Sequence, residues 1–150
     1  MKPIIPKTMT LVALAAILFS FTNLGGEGYE IYLDNKIVIQ QYGKTLDAVN
    51  NLRLDQSALN GRLTVKYHHC GRVGKNRTIT IKDGQNKALK EWRYPDVAQP
   101  VAAMNCKVRD ILDITKNNGT LKLYYTSSEL PNGRLLTNIV VENKSVASVK

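Results

Sequence analysis

The side chains best equipped for chemistry sit together at His68, His69 and Cys70. An imidazole can serve as a general base and a thiolate as a nucleophile or metal ligand, so the triplet suggests a small hydrolase or a metal-binding protein. Successive strand residues point to opposite faces. Only His68 and Cys70 could therefore chelate together, and a metal site would need two further ligands from elsewhere. The chain has 2 histidines in all, so a nucleophile with a histidine base must be built here or nowhere. No G-x-S-x-G elbow accompanies them. The carboxylates that could oppose one another for sugar hydrolysis, Asp110, Asp113 and Glu129, are more economically read as helix-face and loop charges.

Just beyond lies GRVGKNR at residues 71–77, glycine-loosened and carrying Arg72, Lys75 and Arg77. It lacks the G-x-x-x-x-G-K-[ST] spacing of a nucleotide loop. What it retains is the capacity to gather an anion through backbone N–H and guanidinium donors. The charge distribution points the same way. From Arg62 to Arg109 there are eleven Lys/Arg against three acids, within a chain of formal net charge +9. Such a concentration attracts polyanions and anionic membrane surfaces. The residues expected to form a basic central face are Lys66, Arg72, Lys75, Arg77, Lys90 and Arg93. Aromatics lie among them, of which Tyr67 and Trp92 are expected in the core.

The elements that must position these groups are strands. YEIYL at 29–33 and KIVIQQY at 36–42 flank Asp34-Asn35, two residues tolerant of the positive φ that a two-residue hairpin requires. NLRLD follows at 51–55. In RLTVKYHHC at 62–70, strict alternation sets Leu63, Val65, Tyr67 and His69 on one face and Lys66, His68 and Cys70 on the other. Residues 77–82 form a further strand, paired with 90–94 across a connection containing Gly84-Gln85-Asn86. Residues 95–103 read as a loop crossing the molecule, and 104–115 as a strand running into one or two helical turns. Asn118-Gly119 precedes a strand at 121–126. Pro131-Asn132-Gly133 is expected to turn the chain into a last strand at 135–142, with a frayed tail at 143–150. The spacing is that of an all-β protein: one immunoglobulin-like or related antiparallel β-sandwich of about 8–9 strands with one short helix.

Ahead of this domain, Lys2 and Lys7 precede an uncharged apolar run at 9–21, the pattern of a secretory leader. A run of thirteen residues falls short of the roughly 20 apolar residues that span a bilayer. A leader over 1–26, cut somewhere between 20 and 28, and a single domain over 27–150 are expected. Export to the periplasm or outside places Cys70 and Cys106 in an oxidising compartment, where a disulfide between them is expected. In the chain-entropy model such a loop contributes on the order of 4 kcal/mol.

YEIYL at 29–33, Cys70-Gly71, Gly74-Lys75-Asn76-Arg77, Ile81-Lys82-Asp83, Lys90-Glu91-Trp92 and the stretches Leu123-Tyr124-Tyr125 and Glu129-Leu130-Pro131 resemble a group of small exported bacterial β-sandwich proteins to which no activity is assigned. The resemblance implies periplasmic or extracellular placement and supplies no catalytic residue. The expected function is thus non-enzymatic: binding an anionic polymer, a membrane surface or an envelope protein through the basic face. No cofactor, metal or specific small molecule is implied.

Overall fold

A computed structural model describes residues 26–115 and 119–142. The leader read over 1–26, apart from Gly26, the turn residue Asn118 and the tail at 143–150 lie outside them.

Within the described residues nine strands form two sheets with one short helix between the later strands, an all-β sandwich. The strands are β1 (Gly28–Leu33), β2 (Lys36–Tyr42), β3 (Asn51–Asp55), β4 (Arg62–His68), β5 (Thr78–Lys82), β6 (Ala88–Arg93), β7 (Met104–Lys107), β8 (Thr120–Ser127) and β9 (Leu130–Glu142). The helix α1 is Val108–Ile114. Sheet A has the order β2-β1-β4-β7 and sheet B the order β3-β9-β8-β5-β6.

The first hairpin forms as its turn chemistry dictates, with Asp34 at φ 49° and Asn35 at φ 66°. The alternation of β4 also holds. Leu63, Val65 and Tyr67 are buried and continue into buried His69 just past the strand, while Thr64, Lys66 and His68 face outward. Tyr29, Ile31, Val65 and Met104 of sheet A meet Leu54, Ile79, Ile81 and Leu123 of sheet B, all essentially solvent-free. Inward side chains from both sheets make one core, as a sandwich requires. The helix closes the gap at one end with Val108, Ile111 and Leu112.

Two expectations change. The closing hairpin turns at Ser128-Glu129, and Pro131-Asn132-Gly133 lie inside β9 rather than at a turn. Gly133 takes φ 71° where the β8–β9 register slips, so the glycine serves a bulge in a long strand. The second change concerns direction: β3 pairs with β9 in parallel, so the sandwich is not wholly antiparallel. β3 follows β2 from the same end of the molecule at which β9 begins, and the two strands run alongside one another.

Candidate functional site

The His68-His69-Cys70 triplet comes apart. His68 projects from the outer face of sheet A, where Nε2 lies 3.3 Å from the Tyr42 hydroxyl and 4.0 Å from Glu30 Oε1. His69 turns inward. Its Nε2 is 2.8 Å from Tyr125 Oη and 3.5 Å from Ser127 Oγ, and its ring packs against Tyr67 and Tyr125. Gly74 backs this ring so closely that a Cβ there would sit 2.8 Å from Nε2. Burial pushes the His69 pKa down, with Arg72 and Arg77 adding to the effect and Glu129 and Glu27 opposing it. Cys70 has left the strand, exposed, at φ 53°.

The expected Cys70–Cys106 disulfide is not formed: both thiols are free. Cys106 on β7 lies opposite Leu63, and the chain then runs seven residues along β4 and past its end to Cys70. At about 3.3 Å per residue that is roughly 20 Å, well past the ~7 Å Cα separation a disulfide tolerates. Cys106 is buried, 3.1 Å from Tyr94 Oη, and burial pushes its pKa up to about 11.

The six cations expected to share a face do not. In the 71–77 loop three backbone donors are already used: Arg72 N–H donates to the His69 carbonyl, Lys75 N–H to Glu129 Oε2 and Asn76 N–H to Asp96 Oδ1. Burial works against the Glu129 carboxylate, but hydrogen bonds from the Lys75 and Glu129 N–H groups and from Ser127 outweigh it and hold its pKa low. Arg77 is buried. Its guanidinium donates to the carbonyls of Pro95 and Ala102, fastening the crossing loop. Lys90 pairs with Asp110 at 3.3 Å and Arg93 with Glu91 at 2.8 Å. Arg72 and Lys75 stay exposed on the loop, whereas Lys66 stands on the outer face of sheet A.

Around Lys66 lies a surface the sequence reading had not assembled. One hollow of about 480 Å³ is lined by Asp34, Asn35, Asn60, Arg62, Lys107 and Arg109. A second, of about 390 Å³, is lined by Tyr32, Asn35, Arg62, Thr64, Lys66 and Asn105. Asn35 and Arg62 belong to both, which makes them one groove across the ends of β1, β4 and β7. Antiparallel pairing sets Arg62 directly opposite Lys107, and Arg62 and Lys66 are four residues apart on one face of β4, about 13 Å.

Among the described residues, none of these four cations forms an ion pair. Arg109 donates to the neutral Asn60 amide oxygen at 3.0 Å, and Lys66 Nζ lies 4.8 Å from the centre of the Tyr32 ring. Asp34, the acid in the lining, accepts from the Arg62 backbone N–H and belongs to its turn. Glu30, opposite Lys66 across β1 and β4, accepts from the Tyr32 hydroxyl at 2.5 Å, the Tyr42 hydroxyl at 2.6 Å and the Gln40 amide at 3.3 Å; burial works against its carboxylate, and the tyrosine bonds with the His68 and Lys66 charges hold its pKa low. The bond from its hydroxyl to Glu30 pushes the Tyr32 pKa up to about 12.

The sequence contained part of this site. Extending the β4 alternation back from Lys66 reaches Arg62, whereas Lys107 and Arg109 join only through the β4–β7 register and the start of α1. Comparison with known proteins finds no family model and no curated sequence that matches the chain.

Proposed function

We propose that the chain is an exported, non-enzymatic β-sandwich that holds an anionic partner against the outer face of sheet A. The observation that carries this reading is the groove itself, where Arg62, Lys66, Lys107 and Arg109 converge with no ion pair among the described residues. Four positive charges along two joined hollows focus a positive potential, and guanidinium groups suit phosphate, sulfate or carboxylate. Export is supported by the lysine-flanked apolar run ahead of the domain. The hydrolase or metal alternative would need His68, His69 and Cys70 to converge, yet they lie on opposite faces of sheet A and beyond a strand end.

The test is retention on immobilised polyphosphate as salt is raised. Retention should weaken steadily, because exposed charges more than about 10 Å apart are screened near 0.1 M salt. Arg62→Glu with Lys107→Glu should abolish it, and Arg72→Glu with Lys75→Glu should leave most of it. Retention indifferent to salt and to the first pair would overturn the reading.

A further inference from the structure

The exposed apolar residues give the partner a more definite chemistry. The large hydrophobic side chains exposed among the described residues are Ile37, Val38, Tyr42, Val49 and Leu89, and three of these five lie on β2. β2 is the edge strand of the sheet that bears the groove. Ile37 pairs with Tyr32, Tyr32 with Thr64, and Thr64 with Asn105, so a single row crosses sheet A from the exposed isoleucine to the groove wall. At about 4.8 Å between strands this row is roughly 15 Å long. Val38 lies where the β1–β2 register slips, next to Ile37. Ile37 is 47% exposed and Val38 37% exposed, although both are strand residues of a sheet with a well-filled inner face.

Resting on the anion-binding reading above, we infer that this combined surface docks on an anionic phospholipid bilayer. Arg62, Lys66, Lys107 and Arg109 meet headgroup phosphates while Ile37 and Val38 enter the interface beneath them. Interfacial binding scales with buried apolar area plus electrostatic attraction to anionic lipid, and the two ingredients lie side by side here. A soluble polyanion would engage the cations and leave Ile37 and Val38 in water. A single-stranded nucleic acid would look for open aromatic faces on which to stack, and the groove's one ring, Tyr32, is already engaged by Lys66.

The experiment uses the protein recovered after export, its N-terminus established by mass spectrometry. It is sedimented with vesicles of phosphatidylcholine, or of phosphatidylcholine mixed with phosphatidylglycerol. A retained apolar leader would bind both kinds, so dependence on phosphatidylglycerol isolates the face. Anionic vesicles should carry the protein down and neutral ones should not. Arg62→Glu with Lys107→Glu should weaken partitioning roughly tenfold or more. Ile37→Ser with Val38→Ser should weaken it by roughly tenfold while leaving polyphosphate retention unchanged. Thermal melts of both double variants establish that they fold.

If the serine variant partitions like the parent while polyphosphate retention still depends on Arg62 and Lys107, the partner is a soluble polyanion. The bilayer inference then fails and the anion-binding reading stands. If neither vesicles nor polyphosphate respond to Arg62 and Lys107, both fail. Retention of a protein partner that Ile37→Ser with Val38→Ser abolishes, without any vesicle binding, would replace the bilayer with strand addition at β2.

Discussion

The two ends of the sandwich carry similar residue types and use them in opposite ways. At the end where β1 starts and β4 finishes, Arg134 is enclosed by partners: Nε donates to Tyr67 Oη at 2.9 Å, Nη1 to Asp47 at 2.8 Å, and Nη2 lies 3.4 Å from Glu27. Tyr67 in turn donates to Glu27 and stacks against Tyr125 at 4.3 Å, with the Tyr29 ring parallel at 6.3 Å. At the other end Arg62, Lys107 and Arg109 form no ion pair among the described residues. A cation bound into aromatic and acidic neighbours contributes to the fold, whereas one left unmatched is available to something outside it. Counting basic residues along the chain cannot separate these two uses.

The comparison breaks most readily at Tyr67. Tyr67→Ala removes a buried ring from the stack and the oxygen joining Glu27 to Arg134, and should cost about 3–5 kcal/mol in denaturant unfolding. Arg134→Met keeps much of the side-chain volume but leaves the Tyr67 oxygen without its donor and takes the guanidinium away from Glu27 and Asp47. Its expected cost is about 1–3 kcal/mol, read from the shift in unfolding midpoint. Should Arg134→Met prove as mild as an exposed arginine substitution, the closed end would not be the structural one.

These expectations show where the sequence was legible. The Asp34-Asn35 turn, the alternation of β4 and the strand-to-helix passage at Lys107–Val108 are local, set by turn chemistry or by spacing along one segment, and they formed as read. The groove was not local. Arg62 and Lys107 meet only because β4 and β7 pair in a particular register across more than forty residues of chain. The failed disulfide has the same origin: the expectation of export made Cys70 and Cys106 plausible partners, and their positions at opposite ends of the sandwich separate them. Arg77 stands where the cationic loop meets the strand read over 77–82, and the inward alternation it shares with Ile79 and Ile81 buries it.

A smaller effect follows from His69, whose folded pKa lies below its ordinary value through burial, despite Glu129 and Glu27. As pH falls, the unfolded chain takes up this proton first. The contribution of neutral His69 is therefore fully present above its unfolded pKa of about 6.5 and is lost as pH drops through that value toward the folded one. Denaturation midpoints measured from about pH 7 down to about pH 5 should fall for the parent. His69→Phe should flatten that slope, even if the variant is less stable throughout. The carboxylates with lowered pKa, Glu30 and Glu129, act in the same direction at lower pH. A parent protein with no slope in the upper window would show His69 to be freely protonated in the fold.

The thiols separate the buried from the exposed without any substitution. Cys70 should react in the folded protein, whereas Cys106, enclosed and with its thiolate disfavoured, should react only after unfolding. One reactive thiol folded and two unfolded, without reductant, is the expected titration. None after unfolding would restore the disulfide and overturn the positions given to these residues.

The smallest effect bears most directly on the open end. Arg62 and Lys107 face one another across β4 and β7, and like charges directly opposite on a sheet are mildly unfavourable. Arg62→Gln should therefore leave stability within about 0.5 kcal/mol of the parent and on the favourable side at low salt, a gain that added salt removes. The same substitution should weaken retention on polyphosphate. Stability gained where binding is lost would mark the pair as kept for a partner at a small expense to the fold. A clear loss of stability would mean that Arg62 has a structural role like that of Arg134, and the contrast between the two ends would disappear.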